Sequence, residues 1–158
     1  MRREYFTLDV RNVDWVEEDD DTPARPAVTI DFDGPATTLR ERLTGPDGEF
    51  LTAAETDAAF RLQSGLDDEH ATGVVSVTNR LTGDFVLELN EDADDVLRFI
   101  AAAREFGKRM GTDDGDYHVV IRVDGDPLVE YEKDTLLVYD EEGNLLRQHS
   151  LIPSGVEL

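Results

Sequence analysis

The sequence predicts an α+β fold: a mostly antiparallel sheet of about seven or eight strands, with one long and one short helix packed on one face. Three observations carry that expectation. Between Gly73 and Asn90, two runs of β-branched and apolar residues flank Leu81-Thr82-Gly83-Asp84, the composition and spacing of a hairpin. Directly after it, Val96, Leu97, Phe99, Ile100, Ala103, Phe106 and Met110 recur at the spacing of one helix stripe. Several further short runs alternate apolar with polar residues, which puts one face of each strand toward a core.

Taken in order, Tyr5 to Trp15 reads as a first strand with Phe6, Leu8 and Val10 on one face, and Trp15 falls at its frayed end. Glu17 to Asp21 is a self-repelling acidic run, and Pro23 and Pro26 punctuate the residues after it, so residues 17–26 read as a mobile loop. Val28, Ile30 and Phe32 alternate with Thr29, Asp31 and Asp33 in a strand expected antiparallel to the first. Pro35 suits the first position of a short helix carrying Leu39 and Leu43, which closes at Gly45-Pro46-Asp47-Gly48. Residues 50–62 admit two readings. Thr52-Ala53-Ala54-Glu55 has the form of a capping box, whereas Ala58, Phe60 and Leu62 share a strand face; strand is the preferred reading.

Ser64 to Thr72 is a polar loop, and the hairpin and long helix come next. The helix begins with Glu91, Asp92, Asp94 and Asp95 and ends with Arg104, Lys108 and Arg109, an order that complements its dipole; Gly111 can close it. Tyr117 to Val123 alternates, Asp124-Gly125 is a turn signal, and Leu128 to Tyr131 returns. Thr135 to Tyr139 is a further strand. Asp140 to Asn144 turns, with Gly143 placed for a positive φ, and Leu145 to Leu151 is expected to run back as a strand before a tail at 152–158.

A chain of 158 residues is most simply one domain, since this length hides roughly two thirds of its unfolded surface. Lys plus Arg number 15 and Asp plus Glu 37, so the balance is 15 − 37 = −22. Asp dominates the acids, and Lys108 and Lys133 are the two lysines. Such a surface repels itself in dilute buffer, but molar salt shortens the screening length to about 3 Å and removes most of that cost. Acidity then reads as an adaptation to brine, and its sign decides little about partners. Nucleic acid is disfavoured at low salt, while at high salt the long-range argument is screened in both directions.

The absence of Cys excludes disulfides, thiolate nucleophiles and Cys-based metal sites. Met1-Arg2-Arg3-Glu4-Tyr5 offers no apolar leader, and no window approaches a membrane span, so the expected location is the cytoplasm.

Candidate chemistry is sparse. His70, His118 and His149 lack the spacing of a zinc hydrolase, and no phosphate loop or nucleophile elbow is present. No catalytic set, metal site or cofactor is expected. His118 and His149 could flank a small polar or metal-assisted site if the strand register brought them together. Tyr117, Tyr131 and Tyr139, with Arg122 and Arg147, fall on C-terminal strands where ring and guanidinium faces can stack bases, although core packing explains the rings first. His118, Arg122, Tyr131, Tyr139, Arg147 and His149 are therefore the candidate binding residues.

Tyr139-Asp140-Glu141-Glu142-Gly143-Asn144-Leu145 resembles a YD-repeat hairpin, which in a single copy implies a hairpin alone. Over nearly the whole chain, Tyr5 to Val10, Thr82 to Glu88, Asp94 to Ile100 and Gln148 to Gly155 resemble a haloarchaeal family of small acidic proteins of unknown function. The resemblance implies a lineage and one domain, with no catalytic residue to carry over. The expected function is a non-enzymatic interaction or binding module using a sheet face or strand edge, with an unknown protein partner or a second copy as a homodimer. The alternatives are a small enzyme near His118 and His149, and an RNA- or ribosome-associated protein.

Overall fold

A computed structural model of the chain describes residues 3–17, 22–112 and 114–153. Among the described residues, eight strands and two α-helices form, and the strands divide between two four-stranded sheets. In the first sheet, β1 (Phe6–Arg11) and β2 (Ala27–Phe32) pair antiparallel with Phe6 opposite Phe32. β2 then lies parallel to β6 (Tyr117–Val123), which turns into antiparallel β7 (Asp126–Lys133). Asp124 and Gly125 make that turn with φ of 52° and 83°, the positive pair that a two-residue hairpin needs.

In the second sheet, β3 (Thr56–Leu62), β4 (Thr72–Asn79) and β5 (Phe85–Asp92) form an antiparallel meander. β8 (Leu137–Tyr139) joins parallel to β3. The class is thus α+β and mostly antiparallel. The two parallel pairings and the split into two sheets join segments far apart in sequence, where no turn announces a partner.

Burial follows the alternation. On β6, Tyr117, Val119, Ile121 and Val123 are buried while His118, Val120 and Arg122 are half-buried on the opposite face. The short helix α1 (Ala36–Leu43) buries Leu39 and Leu43, and the long helix α2 (Ala93–Arg109) buries Val96, Phe99, Ile100, Ala103 and Phe106. Phe99 meets the Tyr117 ring edge-on at 5.3 Å, which joins α2 to the first sheet. Residues of both sheets and both helices belong to one hydrophobic cluster. Full burial of side chains such as Phe60 stabilises by ~1.5–3 kcal/mol each.

Acidic Asp94 and Asp95 open α2, and Lys108 and Arg109 end it. Gly111, at φ 83°, closes it while Gly111 N–H bonds Lys108 O and Thr112 N–H bonds Gly107 O. Gly107 is required for another reason. A Cβ there would collide with the Asp114 carbonyl, so the loop after α2 lies directly against the helix.

Two expectations are corrected, and the two readings of residues 50–62 are reconciled. Leu145 to Leu151 does not form a strand: it makes single bridges at Leu145 and Leu151 around a 3-10 turn at Arg147–His149. Ser150 drives this, because its hydroxyl donates to Leu146 O and accepts the Val138 N–H at 2.8 Å each, taking main-chain groups a ladder would use. Trp15 is not frayed; it is buried in a 3-10 turn at Asp14–Glu17, with its indole N–H on Asn12 O at 2.6 Å. Residues 50–62 satisfy both readings in succession: the Thr52–Glu55 capping box holds a 3-10 turn at Ala53–Glu55, and β3 comes directly after it. Of the acidic loop at 17–26, residues 18–21 lie outside the described residues, as do residues 154–158 of the tail at 152–158. Among the described residues no helix is long and apolar enough to cross a membrane.

Candidate functional site

β1 and β5 are edge strands, one from each sheet, and they come alongside one another. An edge strand has a neighbour on one side only, so its inward residues are incompletely covered. Leu8 and Val10 on β1 are accordingly half-buried, although they face the core. On the other side of this seam, β5 passes into α2 with no connecting loop: Asp92 ends the strand and Ala93 begins the helix. The Ala93 N–H bonds Ala71 O at 2.9 Å and fixes the junction.

Behind the seam, between the sheets and α2, lies a cavity of about 50 Å³ walled by Val28, Ile30, Phe60, Val96, Phe99 and Val119, among others. Apart from Glu91 and Asp95 its lining side chains are aliphatic or aromatic, so a water inside it finds few hydrogen-bond partners. Leu8, Val10, Glu91 and Asp95 line both this cavity and an outer groove of about 590 Å³. The groove is bordered by the carboxylates of Asp9, Asp14, Glu91 and Asp95 and by the guanidiniums of Arg11 and Arg98.

The strand-to-helix junction concentrates negative charge at the mouth. Carboxylate oxygens of Glu91, Asp92 and Asp95 lie within 4.8 Å of one another. Glu91 is half-buried, and loss of water pushes its pKa up; the nearby charges of Asp95 and Asp92 act in the same direction, against the hydrogen bond it accepts from the Asp92 N–H. Arg98 pairs with Asp14 at 2.6 Å, and at the other end of the seam Arg3 reaches Glu88 and Asn90 at 3.4 Å each. Glu91 and Asp95 enter no ion pair among the described residues. The arrangement can seat hydrocarbon inside and a charged or polar group at the rim.

A second cleft, of about 540 Å³, lies between β7 and the turn leading into β3. Lys133 crosses it. Its ammonium donates to Ala53 O at 2.8 Å, Thr56 O at 2.9 Å and Thr56 Oγ1 at 3.3 Å, which uses all three protons. Burial lowers its pKa. This lysine is a tie between elements, and Arg80 beside it is bound to Asp57 at 2.9 Å.

The residues singled out from sequence fall into two groups. His118 and Arg122 sit on the half-buried face of β6, where Arg122 grips both oxygens of Asp31 on β2 at 2.8 Å. Tyr131 on β7 is buried; its hydroxyl donates to Leu51 O at 2.6 Å, and burial pushes its pKa up to about 12. Tyr139 lies on β8 of the other sheet, and Arg147 and His149 lie on the 3-10 turn after it. The described cavities are lined by none of the six. Sequence reasoning missed Glu91 and Asp95 because carboxylates are common throughout the chain and these two already made sense as helix-start charges. The one available signal was that a strand pattern ran into a helix pattern without a turn residue between them.

No curated protein and no solved structure matches the chain. The family described as Family of unknown function (DUF5793) matches residues 1–158, and the chain belongs to that family.

Proposed function

We propose that the protein is a non-enzymatic binding module and that the seam between β1 and β5 is its binding surface. The observation that carries this reading is a largely apolar cavity beside a polar-rimmed groove, with Leu8, Val10, Glu91 and Asp95 lining both. Exposed ion pairs span the seam's ends, and such pairs contribute only ~0–1 kcal/mol each. The net charge of −22 fits a cytosol rich in salt, where carboxylates keep a folded surface hydrated, as in a haloarchaeal cell.

The test is methyl NMR of the full chain in molar KCl, titrated with 1-butanol. The expected result is saturable shifts confined to Leu8, Val10, Val28 and Val96, and their loss in Val96→Phe, whose added ring fills the cavity. Shifts scattered over the surface without saturation would defeat the reading. So would unchanged shifts in a Val96→Phe variant that keeps native dispersion. For the salt setting, the unfolding midpoint is expected to rise with KCl; a midpoint independent of KCl would remove that part.

A further inference from the structure

Resting on the binding reading above, we infer that the seam's ligand is a small organic cation with a short alkyl tail. The tail lies in the cavity against Val28, Val96 and Phe99, and the positive head lies at Glu91 and Asp95.

Size sets the tail. A water needs about 10–15 Å³ of such space, so a cavity of about 50 Å³ admits a chain of a few carbons and not a ring system. The aliphatic and aromatic walls around Val28, Val96 and Phe99 disfavour a hydroxylated or zwitterionic tail, because its polar atoms would lose more hydrogen bonding to water than they regain. Each buried methylene is expected to tighten binding roughly fourfold until the space is full.

Charge sets the head. The groove carries four carboxylates against two guanidiniums, 2 − 4 = −2, and the Arg98 guanidinium is already engaged by Asp14. An anionic head would enter a field of its own sign. A cationic one would supply the counter-charge that Glu91 and Asp95 lack among the described residues. The half-buried position of Glu91 also matters in brine, because partly buried pairs are screened much less than exposed ones. A bare divalent ion could sit among the carboxylates, yet it would leave the adjoining hydrocarbon space empty.

Three probes of similar shape separate these contributions: butylammonium, 1-butanol and butyrate, titrated at fixed ionic strength into wild type, Glu91→Gln and Asp95→Asn. Butylammonium is expected to bind about tenfold tighter than 1-butanol, and butyrate weakest. Glu91→Gln is expected to erase most of butylammonium's advantage over 1-butanol, read as the ratio of the two affinities in the same variant, and Asp95→Asn to erase a smaller part. Equal affinity for all three probes at the seam methyls would overturn the cationic head and leave the binding reading intact. No probe shifting those methyls would overturn the binding reading itself. If methylammonium binds as tightly as butylammonium, or calcium displaces butylammonium from wild type without any dependence on tail length, the site takes a simple ion and the inference fails.

Discussion

The two sheets meet along two margins, and the margins are closed by opposite means. Where β7 approaches the turn before β3, Tyr131 sends a buried hydroxyl to Leu51 O and Lys133 a half-buried ammonium to the carbonyls of Ala53 and Thr56. Where β1 approaches β5, hydrocarbon faces a crevice whose ends are held by Arg3 with Glu88 and by Arg98 with Asp14, all solvent-exposed to a substantial degree. A hydrogen bond removed from water is insensitive to salt and expensive to lose; a surface ion pair is neither. The β7 margin is therefore held chiefly by hydrogen bonds to main-chain carbonyls, and the ends of the β1–β5 margin by surface ion pairs.

The largest effect is expected from Lys133→Met, which takes the ammonium from Thr56 O while Ala53 O keeps the Thr56 N–H and hydroxyl, and costs about 1–3 kcal/mol in urea unfolding. A loss below ~0.5 kcal/mol would mean the β7 margin is not tied by this lysine. Tyr131→Phe removes one donor from Leu51 O and is expected to cost about 1 kcal/mol, with no change in slope against KCl. At the other margin, Asp14→Asn is expected to cost no more than ~0.5 kcal/mol in dilute buffer and nothing measurable in molar KCl. An equal loss at both salt levels would show that the seam is closed more firmly than its exposure implies.

The smallest change is expected from Glu91→Gln, and its sign depends on pH. The folded-state pKa of Glu91 is raised, so the native state holds this proton more tightly than the unfolded chain does. The cost of ionising it is absent below the unfolded carboxylate range and fully present above the raised folded value. Glu91→Gln should therefore match wild type in acid and melt slightly higher at neutral pH, read as a difference in Tm against pH. A lower melting point at neutral pH would indicate that Glu91 already has a stabilising partner.

Local chemistry made much of this fold readable. The stripe from Val96 to Phe106, the Asp124-Gly125 turn, the Gly143 turn at φ 87° and the Thr52–Glu55 box all depend on residues within a few positions of one another. The features that escaped depend on distant partners. β2 finds β6, and β3 finds β8, without any connecting turn to declare the pairing. Ser150 diverts the last segment through bonds to Leu146 and Val138, which alternation alone does not reveal. The seam was the least legible feature, because Leu8 and Val10 read as ordinary core residues. Their partial exposure arises at the seam where β1 comes alongside β5.

The chain also carries its own optical gauge. Trp15 is the single indole, held under the Arg109 guanidinium at 5.0 Å and edge-on to Phe106 at 6.5 Å, and both of those residues ride on α2. Because α2 continues β5 without slack, a tilt of the helix at the crevice would move a cation and a ring across the fluorophore at its far end. Emission from one native residue would thus report any such tilt, with no label attached.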